Sequence, residues 1–223
     1  MTFPFTLLPT ELAHEIICTA ALPDYDDATA PRPSYATAVS MASVSYAMRS
    51  ATMPHLLHSV VLASSLQVLS FIESILLQKH LSTSSSRLAL DYPKLVRRFW
   101  ATECWEPLME HSPDYYINSG ALYEIICGVD SLGLHFRSLH LLYNGLASAS
   151  ADPARDWTCT HVTLAGSLPR WKPLTSSTEG LLFLSRISHL TLWISTERHA
   201  PPMHESRVPS WIEGVPFWAL PNL

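Results

Sequence analysis

Three triplets in the second half of the chain, Leu139-His140-Leu141, Val162-Thr163-Leu164 and Leu190-Thr191-Leu192, carry the same apolar-polar-apolar alternation at offsets of 23 and 28 residues. Alternation with period two is what a strand covered on one face writes into its sequence. Near-constant spacing of such strands marks units that cannot bury their own apolar face and do so by stacking on a neighbour. The spacing predicts one short parallel strand per unit, with the leucines and Val162 turned inward and His140, Thr163 and Thr191 turned to solvent. His161 and His189 stand at equivalent places just before their strands. His140, His161, Thr163, His189 and Thr191 are therefore expected to form ladders about 5 Å apart on one open face that meets a partner. The same triplets also suit ordinary strands of a compact α/β domain.

Upstream, helix and strand signals alternate. Leu8-Pro9-Thr10-Glu11 opens a helix, since proline suits the first helical position and an acid in the first turn complements the helix dipole. Leu12, Ile16, Ile17, Ala20 and Ala21 share one of its faces. Pro23, Pro31 and Pro33 bracket an acidic loop at 24–30. Residues 35–51 contain neither proline nor glycine and read as one helix with two apolar stripes: Tyr35, Val39, Ala42 and Tyr46, and Met41, Val44 and Met48. Such a helix wants cover on two sides; it either lies at the centre of its own domain or reserves its second face for another chain. Pro54 restarts a short turn through Leu57, and Val60, Val61 and Leu62 read as a strand. Ser64 with Gln67 has the form of a capping box, opening a helix with Leu66, Leu69, Ile72 and Leu76 at helical spacing. A serine-rich stretch at 82–86 ends it, 95–100 reads as a strand, and 121–127 as a helix before Gly128. Lys94, Arg97 and Arg98, set among apolar residues, read as one solvated strand face.

Composition bounds what such elements can do. With 223 residues, 48% of them hydrophobic, the chain can bury one large core or two small ones. A formal charge of -5 gives no general pull toward phosphate backbones or anionic lipid, so neither a nucleic-acid nor a membrane partner is expected. Cys18, Cys104, Cys127 and Cys159 are far apart and form no C-x-x-C pair, which disfavours zinc and disulfide scaffolds and makes a reducing cytoplasmic or nuclear setting the default. The uncharged run 50–72 is broken by Pro54, two histidines, serines and a glutamine, unlike a membrane-spanning helix. There is no G-x-S-x-G elbow, phosphate-cradling glycine loop or H-E-x-x-H, and His55 and His58 lack further ligands at metal-site spacing. No catalytic residue, metal or cofactor is expected. A non-enzymatic interaction protein is the favoured class, with a hydrolase a distant third reading.

At Leu8-Pro9-Thr10-Glu11-Leu12 followed by Ile16-Ile17, and again at Val39 and Val44-Ser45-Tyr46-Ala47-Met48-Arg49, the chain resembles the F-box family, particularly the F-box-like proteins abundant in mushroom-forming fungi. Met48 stands where that family usually has tryptophan, and the proline-rich loop at 23–34 is long for the gap between its first two helices. The resemblance implies an F-box-like helical domain over 5–58, docking a Skp-type adaptor of a cullin-RING ubiquitin ligase through Leu8, Pro9, Leu12, Ile16, Val44 and Met48. It implies in turn that the region 59–223, read as irregular leucine-rich-repeat-like strand-helix units, holds a target protein for ubiquitination. The expected class is α+β or α/β. The alternative is a stand-alone interaction module without adaptor binding. Leu220-Pro221-Asn222-Leu223 reads as the opening of a further unit, so the repeat region is expected to be incomplete and its end frayed.

Overall fold

The computed structural model describes residues 8–22, 35–102, 104, 120–148, 157–166, 170–194, 212 and 214–223. The acidic loop at 24–30 lies outside them. The chain forms two compact units that divide after Val60.

The first unit holds helices α1 (Thr10–Ala20), α2 (Ala36–Ala42) and α3 (Tyr46–His58), each packed on the other two. Pro9 stands one place before the first helical turn, as the N-cap of α1. The single helix expected over 35–51 is two helices. Serine at the join explains the break: the Ser43 hydroxyl donates back to the Val39 carbonyl at 3.0 Å, and the Ser45 hydroxyl accepts the Met48 N–H at 3.2 Å, capping α3. Short hydroxyl side chains of this kind compete with the helical ladder and favour caps. Pro54, expected to restart a turn, instead sits inside α3. There it forfeits one helical hydrogen bond, while Met53 and Leu57, one turn apart, bury the inner face of the helix.

In the second unit strands and helices alternate: β1 (Ser59–Leu62, within which the division falls), α4 (Ser65–Thr83), α5 (Tyr92–Leu95), β2 (Arg98–Ala101), α6 (Gly120–Gly128), β3 (Ser131–His135), α7 (Leu139–Ser148), β4 (His161–Gly166), α8 (Lys172–Thr175), α9 (Thr178–Arg186) and β5 (His189–Ile194). The five strands form one all-parallel sheet in the sequential order β1-β2-β3-β4-β5. Parallel neighbours joined by crossovers of one hand place every connecting helix on the same side of a sequentially ordered sheet. The packing of α4 on α6, α6 on α7 and α7 on α9 follows that rule. Leu62, Phe99, Ala101, Leu132, Leu134, Val162 and Leu164 are buried on the helical side. Phe71 of α4 meets both Phe99 and Tyr92, with ring centroids 6.1 and 6.0 Å apart, and Trp157 bridges Tyr123 of α6 and Phe183 of α9.

The strand starts recur. Val96, Val129, Cys159 and Ile187 are each buried three residues before the first inward residue of their strands: Phe99, Leu132, Val162 and Leu190. The Arg97 carbonyl accepts the Asp130 and Ser131 N–H groups, and the Thr160 carbonyl accepts those of Ser188 and His189. Register then carries Ser131 onto His161 and His161 onto His189, offsets of 30 and 28 residues.

Three sequence expectations are corrected here. Leu139-His140-Leu141 is not a strand but the first turn of α7. The strand that pairs with β4 is β3, whose Gly133 lies opposite Thr163. The capping box at Ser64 forms, with the Ser64 hydroxyl accepting the Gln67 N–H, but α4 buries Val68, Ile72 and Ile75 and leaves Leu66 and Leu76 exposed. Lys94, Arg97 and Arg98 do not share a strand face. Lys94 lies in α5 paired with Asp91 at 2.8 Å, Arg97 precedes β2 and faces Asp130 at 3.7 Å, and only Arg98 belongs to the strand.

At the far end, Phe217–Ala219 form a short 3-10 turn against α9, burying Val215, Ala219 and Leu220 and leaving Phe217 and Trp218 exposed. The Asn222 amide donates to the Ser185 carbonyl. No described helix is long and apolar enough to cross a membrane.

A close approach fixes the start of α9. A β-carbon on Gly180 would lie 2.2 Å from the Leu174 carbonyl oxygen, a backbone atom that cannot swing aside. Gly180→Ala is expected to destabilise the second unit by about 1 to 3 kcal/mol through overpacking. Urea unfolding monitored by far-UV circular dichroism checks it, with a lower midpoint and an unchanged slope as the expected result.

Candidate functional site

Because the helices lie on one side, the residues alternating with the buried ones line the other. Along β2 these are Arg98 and Trp100; along β3, Ser131, Gly133 and His135; along β4, His161, Thr163 and Ala165; along β5, His189, Thr191 and Trp193. Register assembles them into rungs. One carries Arg98, Ser131, His161 and His189, and the next Trp100, Gly133, Thr163 and Thr191. Beyond them His135, Ala165 and Trp193 form a third.

The imidazoles of His161 and His189 stack with centroids 4.1 Å apart and planes 5° from parallel. Each Nδ1 is held by the hydroxyl just before it, Thr160 at 3.0 Å and Ser188 at 2.9 Å. Ring-nitrogen lone pairs lie in the ring plane, so two parallel stacked rings cannot aim both at one ion. Among the described residues no group of three His, Cys, Asp or Glu side chains could hold a metal.

Trp100 lies flat across the sheet because its register partner is a glycine: a β-carbon on Gly133 would fall 1.7 Å from Trp100 Cε3. From there the indole reaches Trp193, two strands further on, with centroids 5.9 Å apart. Trp193 is 62% exposed and, with Trp100, supplies a large apolar surface on this face. Gly133→Ala is expected to lift Trp100 off the sheet and abolish the Trp100–Trp193 contact. The check is near-UV circular dichroism, where the tryptophan signal should fall toward that of Trp193→Ala while the far-UV spectrum stays constant.

Beneath this face two protons are held firmly. Burial pushes the Cys159 thiol up to about 12, outweighing the lowering influence of backbone hydrogen bonds from His161 and Leu132, and pushes the Tyr143 hydroxyl to about 12 as well. Their contribution to stability is full at neutral pH and is lost only as pH rises past the ordinary thiol and phenol range toward about 12. Cys159 is thus held as the thiol, not as the thiolate that acts as a nucleophile.

Of the residues expected on the open face, His161, Thr163, His189 and Thr191 stand there together. His140 does not; on α7 its Nδ1 hydrogen-bonds with the Arg137 carbonyl at 3.0 Å. Sequence reasoning missed Arg98, Trp100, Gly133 and Trp193. The available signal was the same alternation, read through Arg98-Phe99-Trp100-Ala101 and Leu192-Trp193-Ile194, where each tryptophan takes an outward position.

The first unit presents a second surface. Leu12 and Ile16, one turn apart on α1, are 49% and 44% exposed, and Val44 is 69% exposed. Val39 and Tyr46 are exposed too, Pro9 is exposed, and Leu8 and Met48 are half-buried. Small helical domains normally turn such aliphatic faces into their own core.

No protein-family model, curated protein or solved structure matches the chain.

Proposed function

We propose that this protein is the substrate-recognition subunit of a Skp-cullin-F-box ubiquitin ligase: an F-box-like first unit docks a Skp-type adaptor, and a leucine-rich-repeat-like second unit holds the protein to be ubiquitinated. The observation that carries the reading is the exposure of Leu12, Ile16 and Val44 at the positions where the F-box resemblance implies adaptor contact. The resemblance adds Leu8, Pro9 and Met48, of which Pro9 is exposed and Leu8 and Met48 are half-buried. A helix in a globular unit exposes a run of aliphatic side chains at a cost in free energy unless a partner covers it.

The second unit supports the receptor role by its layout. Parallel strands in sequential order, helices on one side and a recurring buried residue before each strand are what stacked strand-helix units produce. The strand offsets shorten from 33 to 30 to 28 residues along the sheet, the last within the leucine-rich-repeat range and the others beyond it, so the units are irregular. His161, Thr163, His189 and Thr191 then face the target. On this reading no bond is made or broken by the chain itself. Titration of the folded chain with a purified Skp-type adaptor tests the proposal: a one-to-one complex supports it, and no binding leaves the stand-alone interaction module.

A further inference from the structure

We infer that the open face of the sheet binds an extended acidic peptide segment, with carboxylates about four residues apart and an apolar side chain between them. This deepens the target-binding half of the reading above and rests on it.

Charge complementarity carries the inference. The chain has 19 acidic against 14 basic residues, yet the outward positions of β2 to β5 hold Arg98, His135, His161 and His189 and no carboxylate. Neighbouring cations are committed: Lys79 to Glu124 at 3.1 Å, Lys94 to Asp91, and Arg97 to Asp130. Arg98 is exposed and has no ion-pair partner among the described residues. The stacked imidazoles engage the Thr160 and Ser188 hydroxyls through Nδ1, and neither Nε2 has a hydrogen-bond partner among the described residues. When the hydroxyl donates to Nδ1, the proton sits on Nε2 and can be donated to a carboxylate.

Spacing sets the ligand. Arg98 and His189 lie three strands apart in one rung, about 14 Å at the usual strand separation, which an extended chain spans in about four residues. Alongside Arg98 and the imidazole donors, the Thr163 and Thr191 hydroxyls of the next rung offer hydrogen bonds, and Trp100 and Trp193 form an aromatic shelf for an apolar side chain. Single-stranded nucleic acid also uses aromatic shelves, but its affinity comes from many phosphate contacts. A rung with one arginine on a net-negative chain does not supply them.

The test uses the full chain and a fluorescein-labelled, end-blocked peptide with the core Glu-Ala-Leu-Ala-Glu, followed by anisotropy at low salt. The comparators are its Gln-Ala-Leu-Ala-Gln counterpart, a Lys-Ala-Leu-Ala-Lys peptide and an oligouridylate. The expected result is saturable binding of the acidic peptide, at least tenfold weaker binding of the glutamine peptide and none of the lysine peptide. Arg98→Glu and the double substitution His161→Ser with His189→Ser should each lower affinity at least fivefold with melting temperature unchanged. Because these side chains are on the surface, the variants should fold; Trp193→Ala provides a further exposed position and should also weaken binding. Equal binding of the glutamine peptide, no binding of the acidic one, or preference for the oligouridylate overturns the inference. Adaptor titration of the same preparation separates the two proposals. Adaptor binding without peptide binding sinks only this one, and peptide binding without adaptor binding sinks only the receptor assignment.

Discussion

Phe99→Ala is expected to lower the stability of the second unit by about 3 to 5 kcal/mol, the range for deleting a fully buried aromatic ring. Phe99 is buried on the helical side of β2, where its ring meets Phe71 of α4, and Phe71 in turn stacks with Tyr92. A smaller side chain leaves a cavity between β2 and α4 that neither a strand held in register with β3 nor a nineteen-residue helix can close. Domains are stable by only about 5 to 15 kcal/mol in total, so this loss takes a large share. For a unit of this length it corresponds to a fall of about 6 to 20 °C in melting temperature. Differential scanning calorimetry checks it, and a fall of under 2 °C would mean that Phe99 is not part of the core.

That core was legible in part, and the reasons differ from element to element. Val162-Thr163-Leu164 and Leu190-Thr191-Leu192 were readable as strands from their alternation, and their register is in fact residue on residue. Leu139-His140-Leu141 shows the same three-residue pattern but lies in a helix. Three residues cannot distinguish a period of 2 from one of 3.6, whereas Leu139, Leu142 and Leu146, all buried, mark one helical face over a longer window. The true strand, Ser131-Leu132-Gly133-Leu134-His135, was concealed by its glycine, a residue that weakens strand signals and here marks the close approach of Trp100. In α4 the apolar residues Leu66, Val68, Leu69, Phe71, Ile72, Ile75, Leu76 and Leu77 support two overlapping stripes, and only the sheet selects the one that is buried.

The open face of the sheet was legible as a set of outward threonines and histidines, and no further. Its tryptophans count as core residues in any hydrophobicity argument, and only their place in the alternation shows that they face outward. Arg98 was grouped with Lys94 and Arg97 because they are close in sequence. The structure separates them by giving the other two carboxylate partners, Asp91 and Asp130. The apolar positions of the first unit were readable from helical spacing, but their exposure was not, since the same spacing describes a buried stripe.

That exposure makes the proposed adaptor surface testable without unfolding the unit. Leu12 and Ile16 are about half exposed, so replacing both with glutamine, a good helix former, should change stability by no more than about 0.5 kcal/mol per site. In a complex the same changes remove about 1 kcal/mol or more of apolar burial at each position and bring two amides into a dry interface, at about 1 to 3 kcal/mol for each left unpaired. The sum reaches a loss of about 100-fold in affinity or more. The deciding measurement is calorimetric titration of a purified Skp-type adaptor into the folded chain and into Leu12→Gln with Ile16→Gln, with a melting curve for each. The proposal predicts a one-to-one complex with the unmodified chain, weakened at least 100-fold in the double variant at an unchanged melting temperature. No complex with the unmodified folded chain, or equal affinity in the two, would contradict it.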